Sequence, residues 1–291
     1  MYDLILNEKR GKVLELPDLP MMPALGQQIL SQVTGEHVDI PRLAKTIEQD
    51  PAVFGRIIGV ANSAYFGCPD KIYTITHAIV RVLGLCMVKS LSLGMVLSSP
   101  LDAKACSRFD MQRYWFDSIL TATVAQRLAR YIKFGQKDFQ DHAYLAGMLN
   151  NIGELILVKL FPSELTDVYC RLEQNPALDE LALQKEIIGI NKYEASSILA
   201  GRWHLPSDLQ IMYQHYQDQH YEGEHWQLLR LVRLCKLLIS EHDMEENIVR
   251  LEVQSELDKL GLSIGQVKKL MKKIDNDRND VEGLAKIMVQ E

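Results

Sequence analysis

Two adjacent carboxamides, Asn150 and Asn151, interrupt the apolar stretch His142–Leu155. Ala143, Ala146, Gly147 and Gly153 alternate there with Leu145, Met148, Leu149, Ile152 and Leu155. That mix suits a helix packed closely on several sides. A buried amide must find hydrogen-bond partners, so polar chemistry is expected at this point of the core. His142 lies two helical turns before Asn150 and would border the same cavity; a satisfied histidine near a helix start is the plainer reading. A second constellation is His215, His220 and His225 among Asp218, Glu222 and Glu224, residue types that ligate metals. Steps of five place successive histidines about 140° apart on a helix. Only a loop could bring them together, and a solvated polar loop is the simpler expectation. His77, beside Ala78, reads as a packed or capping residue.

Composition sets the frame. The chain has 291 residues, 47% hydrophobic and 24% charged, with a net charge of −6. Those fractions suit an ordinary globular protein. The negative balance argues against a surface built for nucleic acid or acidic lipid. Lys268, Lys269, Lys272 and Lys273 do form a basic stretch, but Ile264, Val267, Leu270, Met271 and Ile274 stand at helical spacing opposite them, so a solvated helix side is expected. The five cysteines are odd in number and widely spaced, without a C-x-x-C pair. Reduced, buried thiols in a cytoplasmic protein are expected. The start lacks the pattern of a signal peptide, and no uncharged apolar run approaches the roughly 20 residues of a membrane span.

The elements that must position these groups read as helices. Residues 1–15 are a lead-in, and three prolines between Pro17 and Pro23 give a stiff extended entry. Helices are expected at Ala24–Val33, Pro41–Gln49 and Pro51–Asn62, the last two capped by Asp39 and Asp50. Two apolar helices, Thr76–Leu83 and Cys86–Leu97, are expected to break around Gly84. Ser98-Ser99-Pro100 is the clearest composition break, which divides the chain into a unit at 16–100 and another at 110–291. The second unit opens with a helix at Trp115–Phe134, spaced by Ile119, Leu120, Val124, Leu128 and Ile132. The central helix should run unbroken to about Phe161. Further helices are expected at Asp167–Glu173, Leu178–Ile188, Lys192–Trp203, Asp208–Tyr216 and His225–Ser240. Two or three more follow, with turns near Gly261 and Asp275–Asn279. Tyr65, Phe66, Tyr73 and Trp115 are candidates to seal the joint between the units. The fold class is all-α.

Several motifs together resemble the HDOD family, the HD-related output domains of bacterial signalling proteins. In the first unit they are Leu16-Pro17 through Pro23, Asp50-Pro51, Asn62-Ser63-Ala64-Tyr65-Phe66-Gly67, Ala78-Ile79 and Leu83-Gly84. In the second they are Trp115-x-x-Ser118, Leu145-Ala146-Gly147-Met148-Leu149, Ile152-Gly153 and Trp203-x-Leu205-Pro206. The resemblance implies an N-terminal helical bundle packed on a bundle similar to that of the HD metal-dependent phosphohydrolases.

Those enzymes hold divalent metals on histidines and aspartates, and the metals activate water for attack on phosphorus. Carried over by the resemblance, the histidine–aspartate pair falls on Asn150 and Asn151. An earlier histidine falls near Asp117, a later one on Lys192, and the last aspartate near Lys236. His215 stands where the family often has a histidine pair, with Tyr216 in place of the second. An amide is a weak neutral donor and a protonated lysine is no ligand. The expectation is therefore a degenerate centre of Asp117, Asn150, Asn151, Lys192, Lys236 and His215, with His142 lining the cavity. Lys192 and Lys236 would face Asp117 while the asparagines fill hydrogen bonds. No metal or cofactor is expected. The function implied is a non-enzymatic regulator working through other signalling proteins, with a homodimer open and with no nucleic-acid or membrane partner. A phosphohydrolase with atypical ligands and a small-ligand, nucleotide-type binder are the alternatives.

Overall fold

A computed structural model describes residues 19–33, 38–101, 106–132, 138–239 and 250–290. The lead-in at 1–15 and Leu16-Pro17 lie outside the described residues. Among the described residues every regular element is a helix.

The first helices begin where the aspartate–proline pairs place them. In α1 (Ala24–Val33), α2 (Ile40–Ile47) and α3 (Pro51–Ala61), proline sits in the first turn of the last two. Asp39 accepts from the Arg42 amide at 3.0 Å, and Asp50 from those of Ala52 and Val53 at 2.9 and 3.1 Å. Each carboxylate satisfies amides that a helix start leaves unpaired. Asn62 closes α3 and then clamps the following turn. Its Nδ2 donates to the carbonyls of Ile58 and Ile72, and its Oδ1 accepts from the Ile72 amide at 2.8 Å. Gly67 takes φ 54° there, a left-handed conformation that glycine adopts without strain.

The expected break around Gly84 is present in the backbone: Gly84 takes φ 75° and ψ 164°, outside the helical region and in the range that favours glycine. It separates π-helical turns at Ala78–Leu83 from α4 (Gly84–Ser98), and the segments on its two sides follow each other directly as the helical stretch Ile75–Ser98. By length and composition this stretch could cross a membrane, but 56% of its apolar window is buried inside the protein. It also carries Arg81 and Lys89.

The second half is organised around an antiparallel pair, α5 (Met111–Ala129) and α6 (Phe139–Leu149). Gly147 permits their contact, since a Cβ there would lie 2.5 Å from the Ala122 Cα. The central helix is not continuous as expected. It stops at Leu149, turns through Asn150 and Asn151, and restarts as α7 (Ile152–Leu160). Pro162, a first-turn proline, then opens α8 (Pro162–Gln174). There follow α9 (Glu180–Ile187), α10 (Lys192–Arg202), α11 (Ser207–Gln214) and α12 (Trp226–Ile239). Among the described residues three more follow: α13 (Leu251–Leu260), α14 (Ile264–Asn276) and α15 (Arg278–Val289). Gly261 ends α13 in the left-handed conformation, the usual helix stop.

Contacts tie early and late segments together. The Trp203 indole donates to the Pro20 carbonyl at 2.9 Å. Trp115 is buried and packs beside Gly94 of α4. Helix α15 lies against both α5 and α3, where Gly59 makes room for Ile287. Arg127 of α5 pairs with Asp277 at 3.4 Å and donates to the Tyr65 hydroxyl at 3.3 Å. Tyr73, expected in this seal, is instead 67% exposed.

Gly153 makes the closest approach. Its amide donates to Ser196 Oγ at 2.9 Å, and an added Cβ would overlap the Lys192 carbonyl oxygen. In an ordinary helix, alanine for glycine gains about 1 kcal/mol. Here Gly153→Ala is expected to destabilise the protein by about 2–3 kcal/mol, read from urea denaturation midpoints.

Candidate functional site

The centre forms where α7 meets α10. Asn191 caps α10: its side chain accepts from the Tyr193 and Glu194 amides, while Glu194 accepts in return from the Asn191 amide. This reciprocal cap fixes where α10 begins and so fixes Lys192, its first residue. The Lys192 amide donates to Gln184 Oε1 at 2.9 Å, and its carbonyl accepts from Ser196 Oγ at 2.9 Å. Backbone and side chain are thus both held.

The Lys192 side chain is only 8% exposed. Its ammonium lies 2.8 and 2.9 Å from the two oxygens of Glu180 and 3.6 Å from Glu154 Oε2. Glu154 accepts from the Tyr169 hydroxyl at 2.7 Å, and Glu180 from Gln184 Nε2 at 2.8 Å. Burial alone would lower the lysine pKa, but the charges of Glu154 and Glu180 outweigh it and raise it above the ordinary value. Burial raises the Glu154 pKa, against the pull of Lys192. The Tyr169 phenol is raised by burial and then by the neighbouring Glu154 charge. The cluster is therefore an ion pair with a tyrosine donor, stabilised by opposite charges at close range.

Lys236, on α12, is partly exposed and joins the same field. Burial lowers its pKa, Asp117 opposes that, and Lys192 adds to it. Asp117 itself pairs with Arg113 at 3.2 Å, one helical turn away. Lys192 does not face Asp117 as expected; its partners are Glu180 and Glu154. Sequence reasoning missed both glutamates, as well as Tyr169 and Gln184. The available signal was Glu154 at one turn from Asn150 and Asn151; Glu180 is brought in by the chain reversal between α8 and α9, which spacing does not reveal.

The amide pair occupies the break between α6 and α7 and is buried, with Asn150 0% and Asn151 3% exposed. Asn150 Nδ2 donates to the Gly147 carbonyl at 2.6 Å. The expected full satisfaction is not met: neither asparagine Oδ1 has a hydrogen-bond partner among the described residues. The Leu149 carbonyl, freed by the break, accepts from the Tyr213 hydroxyl at 2.7 Å.

The histidines lie apart from this cluster. His215 stacks on Tyr221, with ring centroids 4.0 Å apart. Its neighbour Tyr216 stacks on Tyr193 at 3.5 Å and stands in the field of Lys192. Among the described residues no group of three or more His, Cys, Asp or Glu is arranged to hold a metal. That includes His215, His220 and His225. The positions carried over from the metal-binding pattern offer one carboxylate, two amides and two ammonium groups. This donor set does not fit a catalytic pair of divalent ions, which needs several imidazoles and carboxylates. All five cysteines are free, with Cys106 and Cys235 buried and Cys68, Cys86 and Cys170 partly exposed.

His142 belongs to another contact. Its Nδ1 lies 2.6 Å from Asp208 Oδ2, joining α6 to α11. The Asp208 bond raises the histidine pKa more than burial lowers it. Half of the His142 side chain is exposed, so solvent screens the gain.

Two outcomes are expected. Lys192→Met, which strands buried carboxylates, should cost about 3 kcal/mol. Glu180→Gln, at a one-third exposed group, should cost about 1 kcal/mol or less, and urea titrations compare them. His142→Ala should destabilise most below about pH 6.5, the ordinary histidine value. Because the folded-state pKa is raised, the penalty should shrink as pH climbs through it. Urea titrations at about pH 5.5 and about pH 8.5, on either side of the ordinary histidine pKa, measure the difference.

Comparisons with known proteins agree with this architecture. A signal transduction protein, provisionally so described, from Marinobacter aquaeolei VT8 superposes with a TM-score of 0.85 at 23% identity, over 100% of this chain and 67% of that one. An HDOD domain protein of unknown function from Geobacter sulfurreducens gives 0.77 at 17% identity, over the full length of both. A provisionally described phosphohydrolase from Shewanella amazonensis SB2B gives 0.75 at 20% identity, over 97% and 98%. At these identities the likeness is one of fold. An uncharacterized protein of Treponema pallidum (strain Nichols) is 24% identical over 237 residues, 79% of this chain. The chain spans only 44% of that relative's length. The sequence model of the HDOD domain matches residues 19–219, more than half of the chain, and the chain belongs to the HDOD domain family.

Proposed function

We propose that this chain is a non-enzymatic regulator of bacterial signal transduction. It acts in the cytoplasm by docking to other signalling proteins. What supports the reading is one observation: the position carried over from a metal-ligating histidine holds the Lys192 ammonium, already bound to Glu180 and Glu154. A buried ammonium neither ligates a cation nor activates water. Two amides stand at the other central ligand pair, and a carboxamide oxygen is a weak neutral donor for a divalent ion.

The second reading is a metal-dependent phosphohydrolase with atypical ligands. Glu154 and Glu180 favour it, because they bring two carboxylates to the centre. Nucleotide binding has less support from the cavity where α3, α4, α5, α6 and α15 meet. It is about 10 Å³ in volume and lined by Tyr65, Met87, Ile119, Tyr144 and Leu284 among others. That is water-sized, far below the hundreds of cubic ångströms a small-molecule site takes.

Turnover of bis(p-nitrophenyl) phosphate with added Mn²⁺ separates the readings. The expected result is a rate equal to that of the Asp117→Ala protein and of buffer. Metal-dependent turnover abolished by Asp117→Ala would establish the hydrolase instead. A nucleotide that raises the thermal midpoint would support ligand binding.

A further inference from the structure

Glu154 and Glu180 reach the same point from two different helical segments, and each also has a hydrogen bond from a residue other than Lys192. Tyr169 holds Glu154, and Gln184 holds Glu180. Between them they present three oxygens to one cation, two at 2.8 and 2.9 Å and one at 3.6 Å. Carboxylate oxygens without histidine or thiolate form a donor set for hard divalent ions. The cation present is a side chain. It is fixed by the Asn191 cap and by the Gln184 bond to its own amide. It is also shielded from water, so an ion cannot reach the carboxylates without displacing it.

We propose that Lys192 is a built-in cation filling a latent divalent-ion site made by Glu154 and Glu180, and that its ammonium keeps metal out of the intact centre. A tethered charge competes with dissolved ions from within the same fold, at an effective concentration that free ions do not match. Lys236 strengthens the exclusion by adding a second positive charge to the same field. Asp117 offsets part of that charge, and Arg113 in turn pairs with Asp117. The proposal rests on the reading of the centre as non-catalytic but is tested separately from it.

The test uses the full chain and Mn²⁺, titrated by calorimetry and by the loss of the free-ion electron paramagnetic resonance signal. Wild type should bind no Mn²⁺ up to about 1 mM, within the range of weak hard-cation sites. Lys192→Ala should bind one ion at least about tenfold more tightly than that limit. Its thermal midpoint, lowered by the substitution, should rise by about 3 °C or more with Mn²⁺. Adding Glu154→Gln and Glu180→Gln should abolish the binding. Should Lys192→Ala be unfolded alone, Mn²⁺ must restore its helical circular dichroism, because metal binding and folding are then coupled. Lys192→Met, which removes the charge but keeps much of the bulk, should bind Mn²⁺ more tightly than wild type and more weakly than Lys192→Ala. Failure of Mn²⁺ to bind or refold Lys192→Ala overturns the latent site alone. Stoichiometric Mn²⁺ on wild type overturns both it and the non-catalytic reading.

Discussion

An ammonium group with 8% of its side chain exposed must be matched by anions or lose its charge. That requirement at Lys192 orders the centre of this protein. The Asn191 cap, the Gln184 bond to the Lys192 amide and the Ser196 bond to its carbonyl hold the residue in place. Glu180 and Glu154 then supply the negative charge, and Tyr169 and Gln184 orient those carboxylates. Each group is anchored by a bond outside the pair, so the ion pair is a fixed part of the interior rather than a loose surface contact.

The close approach of α7 to α10 is the steric counterpart of that electrostatic demand. Gly153 lets the Lys192 carbonyl lie against α7, and Gly147 lets α6 lie against α5. Two small residues therefore set how near four helices come. The break between them, at Asn150 and Asn151, lets α6 and α7 each follow a different neighbour. The freed Leu149 carbonyl is satisfied by Tyr213, as a helix end inside a core requires.

Several motif residues serve as structural fasteners. Asp50 caps a helix, Asn62 clamps a turn, and Trp203 binds the backbone of Pro20. These bonds explain why such residue types stand at those spacings without any appeal to catalysis. The last link, Trp203 to Pro20, spans nearly the whole matched region. Helix α15, beyond that region, adds a further brace by packing on both α3 and α5.

Local signals in the sequence were enough for much of this. Asp39 and Asp50 before prolines placed α2 and α3, and Gly261 ended α13, because caps and stops act over a few residues. The apolar spacing of Ile119 through Leu128 marked α5, and the motifs pointed to the HDOD fold. Tertiary packing decided the rest. It set π-helical turns directly ahead of Gly84, whose φ of 75° is the break that local reading expected, and kept helix on both sides of it. It split the central helix at Asn150 and Asn151, since α6 and α7 pack on different partners. It drew Glu180 and Glu154 to Lys192 from positions 26 residues apart in the chain, and it turned His142 toward Asp208. A charge seeks its nearest available counter-charge in space, and which one that is depends on how distant helices cross.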